Sequence, residues 1–312
     1  MDVATDFLMG RSTHTLNSSS QAERNQQFID DYMLCSEYAA RRMNLGPLSP
    51  LHRDATANQA SRRVLQYMDD YIDESLKMDH KDPQTDHNYI QDLATAVGNR
   101  KTLRDHVLHL LLASRDTTAT LLSNLFFALA KKPLVYAKLR EEVVRTFGDK
   151  VPTFEQLKDM QYLKWCINES LRLHPVIPEN AREAIRNTTL PRGGGKDGNA
   201  PLFVRKGAIL FYSMYAMHRD SDVYGDNIEE FVPERWDGLR PGWSFLPFSG
   251  GPRLCIGQNL ALLEAYYVVT RLVQRVGTLE SCDEREWMDN PALVTTCANG
   301  VHVRLNRPDT CE

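Results

Sequence analysis

Apolar residues recur every three or four positions along most of this chain, which is the spacing of amphipathic helices. This pattern predicts helices over residues 21–42, 61–77, 103–130 and 133–148, then a further helix that ends near Leu173. The most apolar stretch, 107–130, carries Arg115 and Asp116 near its centre. Two charges there would be costly in hydrocarbon, so we interpret this stretch as a buried helix and not as a membrane span.

Outside these helices, the runs of regularly spaced apolar residues are shorter and are interrupted by polar residues and glycines. Residues 77–91 are polar and indicate a connector, whereas residues 180–186 indicate an extended segment. Glycine-rich residues 190–198 predict a hairpin loop. A second turn is predicted at Lys206-Gly207, between extended residues 202–204 and 209–212. A terminal hairpin is predicted around Asn299-Gly300, from residues 293–298 and 300–305. The predicted fold class is therefore mainly α with a small β region.

Composition narrows the possible functions. The 312 residues are 42% hydrophobic, enough for one large or two small domains, and a net charge of -4 without a basic run predicts no nucleic-acid partner. The six cysteines lie far apart without C-x-x-C pairs, which favours a reducing compartment over a zinc or disulfide framework. The first residues lack the basic and apolar regions of a signal peptide.

The strongest candidate chemistry lies in residues 248–257, FSGGPRLCIG. The glycines allow the backbone to approach a flat ligand closely, and the proline stiffens the turn. A helix is predicted directly after Cys255, and amides at a helix start favour the thiolate that binds metal. A lone cysteine is more often a buried free thiol, but this surrounding loop favours Cys255 as a metal ligand.

A second unusual segment is Asp116-Thr117 within the central predicted helix. An acid beside an alcohol among apolar neighbours is costly unless both groups are hydrogen-bonded or used in chemistry. Without further context, a threonine that bonds to its own preceding turn and an acid in a salt bridge are the commoner arrangement. His106 and His109 lie three residues apart on the same helix, but no third ligand is evident and no metal site is predicted there.

These segments occur in the order found in the cytochrome P450 family, the heme-thiolate monooxygenases. Residues 248–257 resemble its cysteine-ligand loop, and Asp116-Thr117 resembles its oxygen-activation motif. Glu169 with Arg172, and the PERW segment 233–236, resemble the acid–arginine pair and the partner segment that lock this loop against the core. The resemblance covers nearly the whole chain and is greatest to the fungal alkane and fatty-acid ω-hydroxylase branch.

The resemblance implies heme b (iron protoporphyrin IX), held between the central helix and the cysteine loop. Cys255 would bind the iron, and Arg253 and Arg182 are candidates to bind the heme propionates. Asp116 is expected as the proton-relay acid and Thr117 as the alcohol that hydrogen-bonds dioxygen. Ser114 stands where the family usually has glycine, so it could crowd the oxygen pocket or add a hydrogen bond.

The implied reaction inserts one oxygen atom from O2 into a C–H bond of a hydrophobic substrate, such as a long-chain alkane or fatty acid. Electrons would come from NADPH-cytochrome P450 reductase, and the family resemblance favours the cytosolic face of the endoplasmic reticulum membrane. Two alternatives stay open. One is a truncated, catalytically silent heme-binding remnant. The other is an isomerase or dehydratase acting on hydroperoxides, against which the retained Asp116-Thr117 argues.

The start of the chain supports the expectation of truncation. Within residues 1–10, Val3, Phe7, Leu8 and Met9 form an apolar face that no upstream element covers. Residues 1–312 are therefore expected to be the C-terminal portion of a cytochrome P450 domain, incomplete at its N-terminus. The helix predicted over residues 21–42 would belong either to the lid over a substrate channel or to an ordinary surface helix.

Overall fold

The computed structural model describes residues 1–10, 12–15, 20–77, 89–291 and 294–308. The chain divides into two compact units. The first comprises Met1–Thr120 with Asn290–Val294, and the second comprises Leu121–Asp289 with Thr295–Glu312.

The first unit is built from amphipathic helices around one apolar core. Its helices are α1 (Asp2–Met9), α2 (Ser20–Leu45), α3 (Ala55–Lys77), α4 (Tyr89–Val97) and α5 (Arg100–Lys131), the last of which continues into the second unit. A 3-10 turn, Gly46–Leu51, joins α2 to α3. The predicted helices over 21–42 and 103–130 are confirmed. The connector predicted over 77–91 falls largely on residues 78–88, which lie outside the described residues.

Helix α3 begins at Ala55, earlier than the predicted start at residue 61. The reason is an N-cap that the apolar pattern does not show. The carboxylate of Asp54 accepts hydrogen bonds from the amides of Thr56 and Ala57, at 2.8 and 3.1 Å. Such a cap satisfies amides that the first helical turn leaves without partners, so the helix extends back to it.

Packing in the first unit corrects the prediction of an open apolar face on α1. Leu8 and Met9 are buried in a core shared with α2, α3, α4 and α5. Only Val3 and Phe7, of the four residues named, have largely exposed side chains. Helices α2 and α3 meet through Phe28 and Tyr67, whose stacked rings are 4.1 Å apart at their centres.

The second unit adds further helices and most of the strands. The helices are α6 (Pro133–Phe147), α7 (Phe154–Lys158), α8 (Gln161–Leu173), α9 (Met214–Met217), α10 (Ser221–Tyr224) and α11 (Gln258–Arg275). Gly148, with a φ of 52°, caps the C-terminal end of α6. The side chains of Thr153 and Gln156 form a capping box at the start of α7. The predicted helices ending near residues 148 and 173 are thus confirmed.

The strands form small antiparallel pairs. Strand β1 (Glu179–Glu183) pairs with β4 (Ile209–Ser213), β2 (Thr188–Gly194) pairs with β3 (Ala200–Val204), and β5 (Thr278–Ser281) pairs with β8 (Val303–Asn306). Two further short strands are β6 (Asp289–Pro291) and β7 (Thr295–Cys297). The fold is mainly α with small sheets, as predicted.

Two details of the β prediction are wrong. Residues 190–194 belong to strand β2 and not to a loop, because Leu190 pairs with Leu202 and Gly194 with Ala200, with a register shift between them. The Asn299-Gly300 turn exists, with Gly300 at a φ of 72°, but β8 pairs with β5 instead of closing a hairpin with β7. The predicted turn at Lys206-Gly207 is confirmed, and it joins β3 to β4, which belong to different sheets. Among the described residues, no helix combines the length and apolar character needed to cross a membrane.

Candidate functional site

The cysteine loop is closed by its own main chain. The amide of Cys255 donates to the carbonyl of Phe248 at 3.0 Å, and the amide of Leu254 donates to that of Gly251 at 3.1 Å. A 3-10 turn over Gly251–Arg253 precedes the cysteine, and α11 begins two residues after Ile256. This path leaves Cys255 as an exposed free thiol between Leu254 and Ile256, whose side chains are 53% and 88% exposed.

Two residues of the loop have special backbone or packing requirements. A Cβ on Gly250 would lie 2.6 Å from the ring of Trp243, so glycine is needed there for packing within the protein itself. Ser249 has a φ of 64°, a left-handed conformation that is uncommon for a residue with a side chain. Such strain persists where surrounding contacts enforce it, and it concentrates at functional sites.

A buried ion-pair cluster joins α8 to the PERW segment. Glu169 and Arg172, one turn apart on α8, are joined by two hydrogen bonds of 2.9 Å. Arg235 donates to the same carboxylate at 2.8 Å, and the indole N–H of Trp236 donates to it at 3.0 Å. The predicted association of Glu169, Arg172 and Arg235 is therefore confirmed. We call these four residues the buried lock.

Residues that the sequence analysis missed connect the lock to residues 244–246, just before the cysteine loop. Arg172 donates to the carbonyl of His218 at 3.1 Å, and Nε2 of His218 accepts the amide of Leu246 at 2.9 Å. The hydroxyl of Tyr224 donates to the carbonyl of Ser244 at 2.9 Å. Burial lowers the pKa of His218 to about 4, so the ring is neutral and can accept this bond at neutral pH. No spacing in the sequence indicated these partners.

Arg182 contacts the loop directly, whereas Arg253 does not pair. One nitrogen of the Arg182 guanidinium donates to the hydroxyl of Ser249 at 3.1 Å, and another donates to the side chain of Asn180 at 3.0 Å. The side chain of Arg253 is exposed and makes no hydrogen bond or ion pair with the residues that the structure describes. The structure thus brings Arg182, Arg253 and Cys255 to one loop of the second unit.

The predicted acid and alcohol lie on α5 within the first unit, each with a local partner. The hydroxyl of Thr117 donates to the carbonyl of Ala113 at 2.6 Å, and Asp116 accepts from Arg115 at 2.9 Å. Ser114 bonds to its own preceding turn at 3.4 Å. This is the locally satisfied arrangement that the residues alone favoured. That Asp116 and Thr117 share a ligand with the cysteine loop stays a prediction.

Comparison with known proteins identifies the family. The sequence profile of the family "Cytochrome P450" matches residues 1–296. The chain belongs to the cytochrome P450 family. This P450 is 42% identical to Cytochrome P450 monooxygenase fsdH of Fusarium heterosporum, over 98% of the present chain and 57% of that protein. The inferred resemblance is confirmed.

Two further relatives define the range of similarity. Cytochrome P450 monooxygenase himC of Aspergillus japonicus is 41% identical over 98% of this chain and 56% of its own length. Cytochrome P450 52A13 of Debaryomyces hansenii is 38% identical over 98% of this chain and 63% of its own length. The present chain therefore spans about three fifths of the length of the curated relatives it matches.

The residues around Cys255 fit the cofactor that this P450 family implies. Among the described residues, no three His, Cys, Asp or Glu side chains converge as metal ligands. A single exposed thiolate instead suits a metal whose other ligands belong to a macrocycle. Leu254 and Ile256 offer apolar contacts for such a ring, and Arg182 and Arg253 offer cations for its carboxylates.

Proposed function

We propose that this P450 is a heme-thiolate monooxygenase that inserts one oxygen atom from O2 into a C–H bond of a hydrophobic substrate. The observation that carries the proposal is Cys255, an exposed thiol on a loop that its own main-chain hydrogen bonds close. These bonds restrict the position of the sulfur, as a metal ligand requires. The names of the relatives, cytochrome P450 monooxygenases, support the same reaction class.

Residues of the cysteine loop would bind heme b. The Cys255 thiolate would bind the iron, and Arg182 and Arg253 would bind the propionates. Heme, when bound, supplies the activation of dioxygen and the transfer of an oxygen atom. Because Arg182 also holds Ser249, one propionate contact would be connected to the conformation of the loop that carries the sulfur.

Asp116 and Thr117 would hold and deliver protons. In the structure, the Thr117 hydroxyl donates its hydrogen bond to the Ala113 carbonyl. The hydroxyl must therefore rotate away from that carbonyl before it can donate to a ligand. The Asp116 carboxylate has one oxygen bonded to Arg115, and it would exchange protons through the other. Removing either side chain is expected to impair proton delivery while leaving cofactor binding intact.

We infer a long-chain alkane or fatty acid as substrate, from the resemblance to the ω-hydroxylase branch and from relatives such as Cytochrome P450 52A13 and Cytochrome P450 52A4 of Candida maltosa. NADPH-cytochrome P450 reductase is the proposed electron donor. The proposed location is the cytosolic face of the endoplasmic reticulum membrane.

Isotope labelling tests the reaction class. The chain, with NADPH-cytochrome P450 reductase, NADPH and a long-chain fatty acid, is incubated under ¹⁸O2, and the product is analysed by mass spectrometry. We expect a hydroxylated product that carries one ¹⁸O atom. Conversion of a fatty-acid hydroperoxide without O2 or NADPH, and no labelled product from the fatty acid, would instead favour an isomerase or dehydratase.

A further inference from the structure

Tyr32 on α2 has a buried hydroxyl whose bonding is incomplete. Its side chain lies in the core of the first unit, and the residue is only 5% exposed. Among the residues that the structure describes, its hydroxyl has no hydrogen-bond partner. A buried hydroxyl in this condition is costly, so proteins normally supply it with a protein or water partner.

The same tyrosine lies beside the acid of the proposed proton relay. The Arg115 guanidinium is centred 5.9 Å from the middle of the Tyr32 ring, and Arg115 donates to Oδ1 of Asp116 at 2.9 Å. Arg115 therefore connects the ring on α2 to the carboxylate on α5. Burial raises the pKa of the Tyr32 phenol, and the nearby Asp116 charge raises it further, so the hydroxyl keeps its proton and acts as a donor.

We propose that the Tyr32 hydroxyl donates to a buried water that is also bound by Asp116, so that Tyr32 positions this carboxylate. The second oxygen of Asp116 has no partner among the described residues, and a carboxylate oxygen is a strong hydrogen-bond acceptor. Buried waters typically make about three hydrogen bonds, and the phenol, the carboxylate and the Arg115 guanidinium supply three suitable groups.

This arrangement assigns a separate partner to each oxygen of Asp116. Arg115 holds Oδ1, and the water held by Tyr32 holds Oδ2. The carboxylate would then have one orientation on α5. The role of Tyr32 in catalysis rests on the proposed function, because it requires Asp116 to be the relay acid, but the water bridge itself does not.

A thermal double-mutant cycle on the full chain tests the bridge without any turnover. Tyr32→Phe is measured in the parent chain and in the Asp116→Ala variant. We expect Tyr32→Phe to lower Tm by about 2 °C in the parent, as loss of one net hydrogen bond does, and to leave Tm unchanged in Asp116→Ala. An equal shift in both backgrounds, or a raised Tm in the parent, would overturn the bridge.

Tyr38→Phe is the matched control on the same helix. Its hydroxyl donates to the carbonyl of His52 at 2.9 Å, so the loss in Tm should be the same with and without Asp116. This control distinguishes coupling to Asp116 from the general effect of removing a phenol from α2.

The positioning role has its own measurement in the heme-loaded protein. We expect Tyr32→Phe to raise the share of reducing equivalents released as peroxide severalfold, as Asp116→Ala does, whereas Tyr38→Phe leaves it unchanged. Equal peroxide shares in Tyr32→Phe and Tyr38→Phe would overturn the positioning role. If the parent shows no turnover, the proposed function fails. The thermal double-mutant cycle still tests the water bridge between Tyr32 and Asp116.

Discussion

Glu169 and Arg172 form an ion pair from which solvent is fully excluded, although both residues carry a charge and lie on a helix. The pair is tolerated because each polar atom has further partners. The carboxylate also accepts from Arg235 and Trp236, and the Arg172 guanidinium donates to the carbonyls of Ile228 and Glu230. Removing one member would leave the others buried without compensation.

Glu169→Gln should therefore be strongly destabilising. Loss of the negative charge leaves Arg172 and Arg235 as uncompensated buried cations, which costs about 3–5 kcal/mol of unfolding free energy. Denaturant unfolding of the full chain measures this loss. Glu155→Gln is the control, because Glu155 forms only an exposed pair with Lys158 and its loss should cost about 0.5 kcal/mol or less. Equal costs for the two variants would contradict a structural role of the lock.

The cysteine loop and the Glu169–Arg172 pair could be predicted because the residues of each lie close together in sequence. Cys255 lies in a short glycine-rich loop, and Glu169 and Arg172 lie one helical turn apart. The contacts between distant segments could not be predicted in this way. The bond from His218 to Leu246 and the pairing of β8 with β5 depend on tertiary packing, which neither periodicity nor turn residues specify. The start of α3 was missed because the cap at Asp54 precedes the apolar pattern.

His218 should make the stability of the chain depend on pH. Burial lowers its folded-state pKa to about 4, from an ordinary value of 6.5, so the unfolded chain binds the extra proton first as pH falls. The contribution of the neutral ring is present above pH 6.5 and is lost between about 6.5 and 4. We expect His218→Asn to reduce the fall in Tm between pH 6.5 and pH 5, and the exposed His106→Asn to leave it unchanged. The same pH profile in both variants would contradict this role of His218.

Thr117→Ala should separate proton delivery from cofactor binding. Heme content should stay at the parent level, while the share of reducing equivalents lost as peroxide should rise about tenfold or more, as expected for loss of a proton donor. Thr95→Ala is the matched control, since the hydroxyl of Thr95 bonds to the preceding turn of α4 in the same manner as Thr117 on α5. Unchanged peroxide release in Thr117→Ala would remove this residue from the mechanism. Ser114→Gly tests in the same assay whether the serine impairs coupling.

Arg182→Gln should weaken heme retention. The change removes a charge proposed to bind a propionate, and it removes the guanidinium that holds Ser249 in its left-handed conformation. We expect the rate of heme transfer to apomyoglobin to rise by about tenfold, which corresponds to loss of one charge-assisted contact. Arg192→Gln, on the exposed strand β2, is the control. Equal transfer rates for these two variants would exclude Arg182 from the cofactor site.

The central claim is that the Cys255 thiolate binds heme iron, and the spectrum of the reduced carbon-monoxide complex tests it most directly. The parent chain and Cys282→Ser, which changes another exposed free cysteine, should both absorb at about 450 nm, the signature of a thiolate ligand, whereas Cys255→Ser should lose this band. A band at about 420 nm in the parent chain, or a 450 nm band that survives in Cys255→Ser, would contradict the assignment.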